Sequence, residues 1–367
     1  MRILHINCNY TGTTLHQLLI EKLDQLGHKN QVFVPMYDKT LSVINPNNNV
    51  LVCECFKKWD RLFFGYKQKK IIRAVESNLK VCDYDLIHAY TLFTDGNCAR
   101  YLAKKYNKSY VVAVRNTDVN SFFKYRPHLR SLGIRIMRDA KAVFFLSESY
   151  RNEVFDKYVP KKYKEELLNK TVIIPNGMDD FWLNKTPQEA KKCTNYEMIE
   201  LAYAGRIEKN KNIPTTQKAM AILRNKGLNT HLTVVGKIQD QAEYKKISAD
   251  EFTTCLPAMC RDELIYVYRR AHIFVMPSYT ESFGLVYAEA MSQGLPVIYS
   301  KGQGFDGQFD EGVAGYSVLS SSPDSVAEGI IKVLENYEEI SKNAPINASV
   351  FNWYEISKKY DKIYKEL

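Results

Sequence analysis

Two short stretches of this 367-residue chain carry side chains whose types and spacing suit chemistry. The first, GRIEKNK at 205–211, directly follows the apolar run Glu200–Ala204. Gly205 lets the chain turn sharply off a strand end, and Arg206 and Lys211 then project where a strand-end ligand lies. Two cations in one loop suit a diphosphate, Arg gripping oxygens through a fork of donors and Lys acting as a point charge. Taken alone, such a loop is more often a solvated Lys-rich turn. The second stretch, PSYTESFGLVYAEAMSQGLPV at 277–297, follows Ile273–Met276 and opens a helix around Ser282–Gly284. Free amides at a helix start, at the positive end of its dipole, make an anion site. Glu281 stands just before that helix and Glu289 lies eight residues later, about two turns in. A pair of carboxylates beside a phosphate site suits the hydroxyls of a sugar or a ribose.

Two other motifs point elsewhere. Gly302-Gln303-Gly304-Phe305-Asp306-Gly307 spells the dinucleotide fingerprint, but QFDEGVAGYSV after it lacks the apolar period of a helix. A glycine loop beside the ligand site is the better reading. Asp83-Tyr84-Asp85 spells a metal–diphosphate motif, yet it precedes the strand Leu86–Ala89 at its amino end and reads as a strand lead-in.

Strands must end beside these residues to position them. Candidate strands are Arg2–Ile6, Asn30–Pro35, Leu86–Ala89, Tyr110–Val114, Ala142–Leu146 and Val172–Pro175, then Glu200–Ala204, Thr230–Val235, Ile273–Met276, Pro296–Tyr299 and Gly315–Val318. Helical patterns separate them, which predicts parallel sheets covered on both faces. The polar stretch Asp179–Asn195 interrupts the alternation. It divides the chain into two Rossmann-like doubly wound α/β domains, residues 1–183 and 184–349, facing across a ligand cleft. A last helix over 350–367 follows a break at Pro345.

Gly205-Arg206 with Lys211, Pro277-Ser278, Glu281-x7-Glu289 and Gly294-Leu295-Pro296 together resemble the donor-site signature of family 4 glycosyltransferases, which have the GT-B fold. Asp85-Leu86-Ile87-His88-Ala89, Ile174-Pro175-Asn176-Gly177-Met178-Asp179, Val234-Val235-Gly236, Asp262-Glu263-Leu264, Tyr268 and Gly315-Tyr316 fall in the family's order, so the resemblance spans nearly the whole chain. It implies that Arg206 and Lys211 neutralise the diphosphate of a nucleotide-sugar donor, with a UDP-sugar as first candidate, and that Glu281 contacts the transferred sugar. Amides of Phe283, Gly284 and Leu285, beside Ser282, would hold phosphate or sugar, and Glu289 the ribose. Gly205 and Gly236 complete the donor loops. The resemblance also implies retention of anomeric configuration and no metal or other cofactor. The terminal helix would pack back on the first domain, with Trp353 as anchor. The first half departs from the pattern. Arg115-Asn116-Thr117-Asp118 stands where a His-Gly-x-Asp turn is usual, which keeps Asp118 as a catalytic candidate and puts Arg115 in place of the His. The double-Gly loop is reduced to Asn9-Tyr10-Thr11-Gly12, leaving Gly12 to face donor phosphate or acceptor.

Composition narrows the rest. At 45% hydrophobic and 25% charged, the chain can bury substantial cores, which excludes disorder and low complexity. No apolar run approaches the ~18 residues of a membrane span, and the opening MRILHINCN reads as a core strand rather than an export signal. The eight cysteines contain no C-x-x-C pair and no zinc-like spacing, so free thiols in a reducing cytosol are expected. Residues 1–180 hold 29 basic and 18 acidic side chains, and the remainder 22 and 23, so the net +10 belongs to the first half. Its basic residues interleave with aromatics in segments 57–73 and 119–138, a composition that suits an anionic membrane surface. Single-stranded nucleic acid would suit it too, but no nucleic-acid fold signature accompanies it. The expectation is a cytoplasmic enzyme, peripheral on the inner face of the membrane. It would move a sugar from a nucleotide donor to a glycan or lipid-linked glycan of a surface polysaccharide. A catalytically silent subunit and a sugar-nucleotide epimerase of the same fold are the alternatives.

Overall fold

The structure, a computed structural model, describes residues 1–41, 49–187 and 197–367. Its strands are β1 (Arg2–Ile6), β2 (Lys29–Met36), β3 (Val50–Glu54), β4 (Leu86–Ala89), β5 (Ser109–Val114), β6 (Ala142–Phe145), β7 (Thr171–Ile173), β8 (Ile199–Ala204), β9 (Thr230–Val235), β10 (Thr253–Leu256), β11 (Ile273–Met276), β12 (Val297–Ser300) and β13 (Gly315–Val318). The connecting helices are α1 (Leu15–Gln25), α2 (Phe64–Asn78), α3 (Thr94–Tyr106), α4 (Arg130–Asp139), α5 (Glu148–Lys157), α6 (Lys161–Leu168), α7 (Asp180–Asn184), α8 (Ile213–Asn225), α9 (Gln241–Ile247), α10 (Arg261–Arg270), α11 (Leu285–Ser292), α12 (Pro323–Glu335), α13 (Tyr337–Ala348) and α14 (Trp353–Lys365).

The strands form two all-parallel sheets, ordered β3-β2-β1-β4-β5-β6-β7 and β10-β9-β8-β11-β12-β13. In each, the order reverses beside the first strand, which pairs with one neighbour on each side: Ile3 with Asn30 and Leu86, Leu201 with Leu232 and Ile273. At such a switch point the connections leave to opposite faces and open a crevice at the strands' carboxyl ends. Central strands β4, β11 and β12 are buried at every position, as strands covered on both faces must be. The α/β two-sheet architecture is the expected one.

The chain divides into two units. One comprises Met1–Leu146, Tyr150–Gly177 and Trp353–Leu367, the other Ser147–Ser149 and Met178–Asn352. The α14 helix buries Trp353, Ile356, Tyr360 and Tyr364 on one stripe within the first unit. Trp353 lies so close to Gly177 that a β-carbon there would come within 2.4 Å of the indole. Asp361 accepts from His28 Nε2 at 2.8 Å, and the Tyr364 hydroxyl meets His88 Nδ1 at 2.7 Å. Nearby, burial pushes His5 down to about 4. The neutral ring donates Nε2–H to Asn30 Oδ1 at 2.8 Å and accepts the Tyr90 hydroxyl at Nδ1 at 3.1 Å.

Two strands and one break differ from expectation. Strands β3 and β10 are sheet edges, only partly buried along most of their length; β10 shows no continuous apolar run, whereas β3 carries the short run Val50-Leu51-Val52-Cys53. Pro345 does not end a helix; α13 runs on through it to Ala348, without the one backbone bond a proline amide cannot donate. Asp85 accepts the Arg2 amide at 2.8 Å, and Asp83 pairs with the Arg2 guanidinium at 3.9 Å, which makes the D-x-D motif a strand lead-in. Seven cysteines are described and all are free; Cys193 lies outside the described residues, as does part of the polar stretch 179–195. No described helix is long and apolar enough to cross a membrane.

Candidate active site

In the second unit, the loops leaving β8 and β11 are laced together. Asn210 Nδ2 donates to the Thr280 carbonyl at 2.8 Å, its Oδ1 accepts the Thr280 amide at 3.1 Å, and its carbonyl accepts the Tyr279 amide at 2.9 Å. Asn212, in the left-handed conformation at φ 56°, donates to the Pro277 carbonyl at 3.0 Å. The lacing brings Lys211 Nζ to 2.5 Å from Glu281 Oε2, with the two side chains only 12% and 10% exposed. Glu281 Oε1 also accepts the Ser282 amide at 3.0 Å. The Glu281 amide donates to Gln303 Oε1 at 3.0 Å, and the Gly304 amide to the Glu281 carbonyl at 3.1 Å. A β-carbon on Gly304 would fall 1.9 Å from the Ser282 carbonyl oxygen. The G-x-G-x-x-G segment is therefore a brace for Glu281 and Ser282, and turns rather than a helix follow it.

Gly284 precedes α11 at φ 77°, a conformation open to glycine, and a β-carbon there would strike the Tyr287 ring at 2.5 Å. No side chain caps α11; the Tyr287 amide donates to the Gly284 carbonyl at 2.9 Å, which leaves the Leu285 and Val286 amides at the helix start for an anion. The Phe283 side chain packs into a cluster with Phe305 and Phe351, which leaves only its backbone for a ligand. Glu289 stands on the second turn of α11. Burial, then the nearby Asp179 carboxylate, pushes it up to about 7. Asp179 itself is held by Arg261 Nη1 at 2.5 Å. Arg206 is the outlier, with its side chain 64% exposed and Nη2 3.3 Å from Glu208.

Gly205 and Gly236 meet each other rather than open space. The Gly205 amide donates to the Val235 carbonyl at 2.9 Å, and a β-carbon on Gly236 would lie 1.7 Å from the Gly205 carbonyl oxygen. Gly236→Ala is expected to destabilise the second unit by roughly 1–3 kcal/mol. The thermal midpoint measures this, and an unchanged midpoint would refute the contact.

The other candidates lie in the first unit. Asp118, 1% exposed, accepts the amides of Leu92 at 2.9 Å, Arg115 at 2.9 Å and Phe93 at 3.2 Å. Burial raises its pKa to about 6 against those hydrogen bonds. Its oxygens are engaged in holding the loops after β4 and β5. Arg115 Nη1 donates to Asn176 Oδ1 at 3.2 Å, so the arginine is tied to the segment after β7. Gly12 closes a short turn after β1, and a β-carbon there would meet nothing within 4 Å.

A cavity of about 600 Å³, which residue-by-residue sequence reasoning missed, opens at the carboxyl ends of β1, β2 and β4. Gly12 and Asp118 line it, and so do Arg61, Lys67 and Arg126, contributed by the two basic–aromatic segments. Those segments meet where Phe64 and Phe122 pack edge to face at 6.0 Å. Beside the contact, Trp59, Leu62, Phe63 and Tyr125 are the four most exposed large apolar side chains of the described residues, at 67–75%. Among the described residues no group of three or more His, Cys, Asp or Glu is placed to hold a metal ion.

Two parallel-sheet units, with a cation–carboxylate pair beside an uncapped helix start, define the architecture of a GT-B glycosyltransferase. The family model for Glycosyltransferase Family 4 matches residues 13–180, and that for Glycosyl transferases group 1 matches residues 185–348. The chain belongs to the family 4 glycosyltransferases. It is 30% identical over 181 residues to a D-inositol 3-phosphate glycosyltransferase of Corynebacterium jeikeium, a match covering 46% of this chain and 43% of that protein. Matches to three such proteins span 30–43% of their length. Alpha-monoglucosyldiacylglycerol synthase of Acholeplasma laidlawii is 22% identical, across 95% of this chain and 92% of its own. Sucrose-phosphate synthase of Thermosynechococcus elongatus superposes with a TM-score of 0.77 at 19% identity, covering 100% of this chain and 98% of that one. Anabaena HepE, solved with UDP and glucose, does so at 0.70 and 18%, covering 100% of both.

Proposed function

We propose that the protein is a retaining, metal-independent glycosyltransferase. It moves a sugar from a nucleotide-diphosphate sugar to a hydroxyl of a glycan or lipid-linked glycan in surface-polysaccharide synthesis. The observation that carries this reading is the Lys211–Glu281 pair at 2.5 Å beside the open start of α11. Lys211, Arg206 and the first-turn amides supply positive charge where a diphosphate leaves. Glu281 orients sugar hydroxyls and Glu289 the ribose. The acceptor oxygen attacks the anomeric carbon on the face from which the diphosphate departs. Its proton passes to the leaving phosphate oxygen, giving glycoside and nucleoside diphosphate.

The second unit takes the donor and the first the acceptor. The basic rim with exposed Trp59, Leu62, Phe63 and Tyr125 favours binding at the anionic cytoplasmic face of a membrane. A full-length relative named for making a glucosylated diacylglycerol agrees with a lipid acceptor. Neighbours of the same fold solved with UDP or UDP-glucose make UDP-sugars the first donors to test. Arg115, tied to Asn176 where the family usually has His, favours the second reading, a catalytically silent subunit.

Nucleotide release from a panel of UDP-, GDP-, ADP-, dTDP- and CMP-sugars decides between them. Release from one donor, enhanced by a membrane lipid extract and indifferent to EDTA, is the expected result. An acceptor-free conversion of donor to an isomer would indicate the epimerase, and no binding of any donor the silent subunit.

A further inference from the structure

The cavity of the first unit carries a charge pattern that a neutral sugar hydroxyl does not require. Its wall holds three cations, Arg61, Lys67 and Arg126. None forms an ion pair among the described residues, although Lys67 feels the field of the buried Asp95 carboxylate. Each lies instead over an aromatic ring: Arg61 above Tyr37 at 5.8 Å, Lys67 above Phe56 at 4.7 Å and Arg126 above Phe122 at 4.8 Å. A ring face positions a cation without neutralising it, and its apolar bulk keeps water from one side. The neighbouring carboxylates are already engaged. Asp118 holds three backbone amides, and Asp95, fully buried, accepts the Cys8 amide at 3.3 Å and the Thr91 hydroxyl at 2.9 Å. Burial lowers the pKa of Lys67 even with the Asp95 carboxylate nearby, a cost that a bound anion would relieve. Hydroxyls of Thr117 and Ser121 line the same wall, suited to the alcohol part of a ligand.

We propose that this cavity binds the phosphate of a phosphate-bearing acceptor through Arg61, Lys67 and Arg126. The word acceptor rests on the glycosyltransferase reading above; the phosphate site does not. Lone surface lysines would attract a membrane without choosing a headgroup. Three cations lining one walled cavity select a phosphate ester, whether a lipid or a soluble alcohol carries it.

The test is equilibrium binding to the full-length protein with UDP saturating, so that the cation loop of the second unit is occupied. The probes are sn-glycerol 3-phosphate and, separately, dihexanoyl phosphatidate below its micellar concentration. Arg61→Gln/Lys67→Gln is expected to weaken binding by roughly tenfold per cation removed. Lys58→Gln/Lys124→Gln, outside the cavity, should change it less than about twofold. If both probes bind and weaken together, the cavity reads phosphate whatever carries it. If only the phosphatidate binds and weakens, the carrier is a lipid. Equal binding by wild type and the cavity variant, or no binding of either probe, overturns the proposal. Should Lys67→Gln lower the thermal midpoint, Arg61→Gln/Arg126→Gln carries the same test. Donor turnover is not read here, so failure of this site and failure of the glycosyltransferase reading are separate outcomes.

Discussion

Lys211→Met is expected to cut turnover by roughly 10²–10³-fold, the usual consequence of removing one group that stabilises a departing anion. The structure adds a complication that the motif alone does not reveal. Lys211 and Glu281 are ion-paired at 2.5 Å with little solvent around either. Removing one partner strands the other, which costs about 3 kcal/mol when the remaining charge is buried. A drop in turnover could then reflect a loosened loop. The double variant Lys211→Met/Glu281→Gln separates the two effects, because no charge is left stranded. The Ser282 amide still finds an acceptor in the carboxamide oxygen of the introduced glutamine. The double variant's thermal midpoint should return most of the way to wild type while turnover stays at the single-variant level or below. If turnover returns together with stability, Lys211 only holds the loop and its place in the chemistry is lost. Measuring kcat and KM apart sharpens this. A group acting on the leaving diphosphate lowers kcat, whereas one that only binds donor raises KM.

The motif residues were legible because their chemistry is local. Gly205 to Lys211 and Glu281 to Glu289 each sit on one strand-end turn or one helix start, so spacing along the chain translates directly into proximity. What spacing did not reveal was the pairing of Lys211 with Glu281 across 70 residues, set by Asn210 and Asn212, two side chains with no signal of their own. Gly236 is the opposite case. It was read with the donor residues, yet its lack of a side chain serves the close passage of Gly205. The first-unit cavity was illegible for a third reason. Residues 57–73 and 119–138 look alike as basic–aromatic stretches, and only their meeting at Phe64 and Phe122 turns two charged surfaces into one walled site. Edge strand β10 escaped because a partly exposed strand lacks the apolar continuity by which central strands declare themselves.

Glu289→Gln should make the protein more stable, by a margin that grows as pH rises from about 4.5 to about 7, and a worse nucleotide binder above neutral pH. Burial and Asp179 raise this carboxyl from its ordinary 4.5 to about 7. Between those values the folded chain holds a proton that the unfolded chain releases. The carboxyl's contribution is therefore least unfavourable below about 4.5, worsens as pH rises, and carries its full penalty above about 7. Gln cannot ionise, so the variant should gain thermal midpoint at pH 8 and change little at pH 5. Asp179 is already compensated by Arg261, which leaves Glu289 as the carboxylate with the unmet charge. A partly buried charge held at such cost is explained if it meets hydrogen-bond donors when substrate arrives, as the two hydroxyls of a ribose would provide. UDP should then bind roughly 10–100-fold more weakly to the variant at pH 8, and the gap should narrow below pH 7, where the native carboxyl is itself protonated. The hydroxyl dependence can be isolated with 2′-deoxy-UDP: wild type should discriminate against it at pH 8 and Glu289→Gln much less. A gap in UDP affinity that ignores pH, or discrimination that survives the substitution, would remove the ribose from Glu289 and leave its raised pKa a consequence of packing alone.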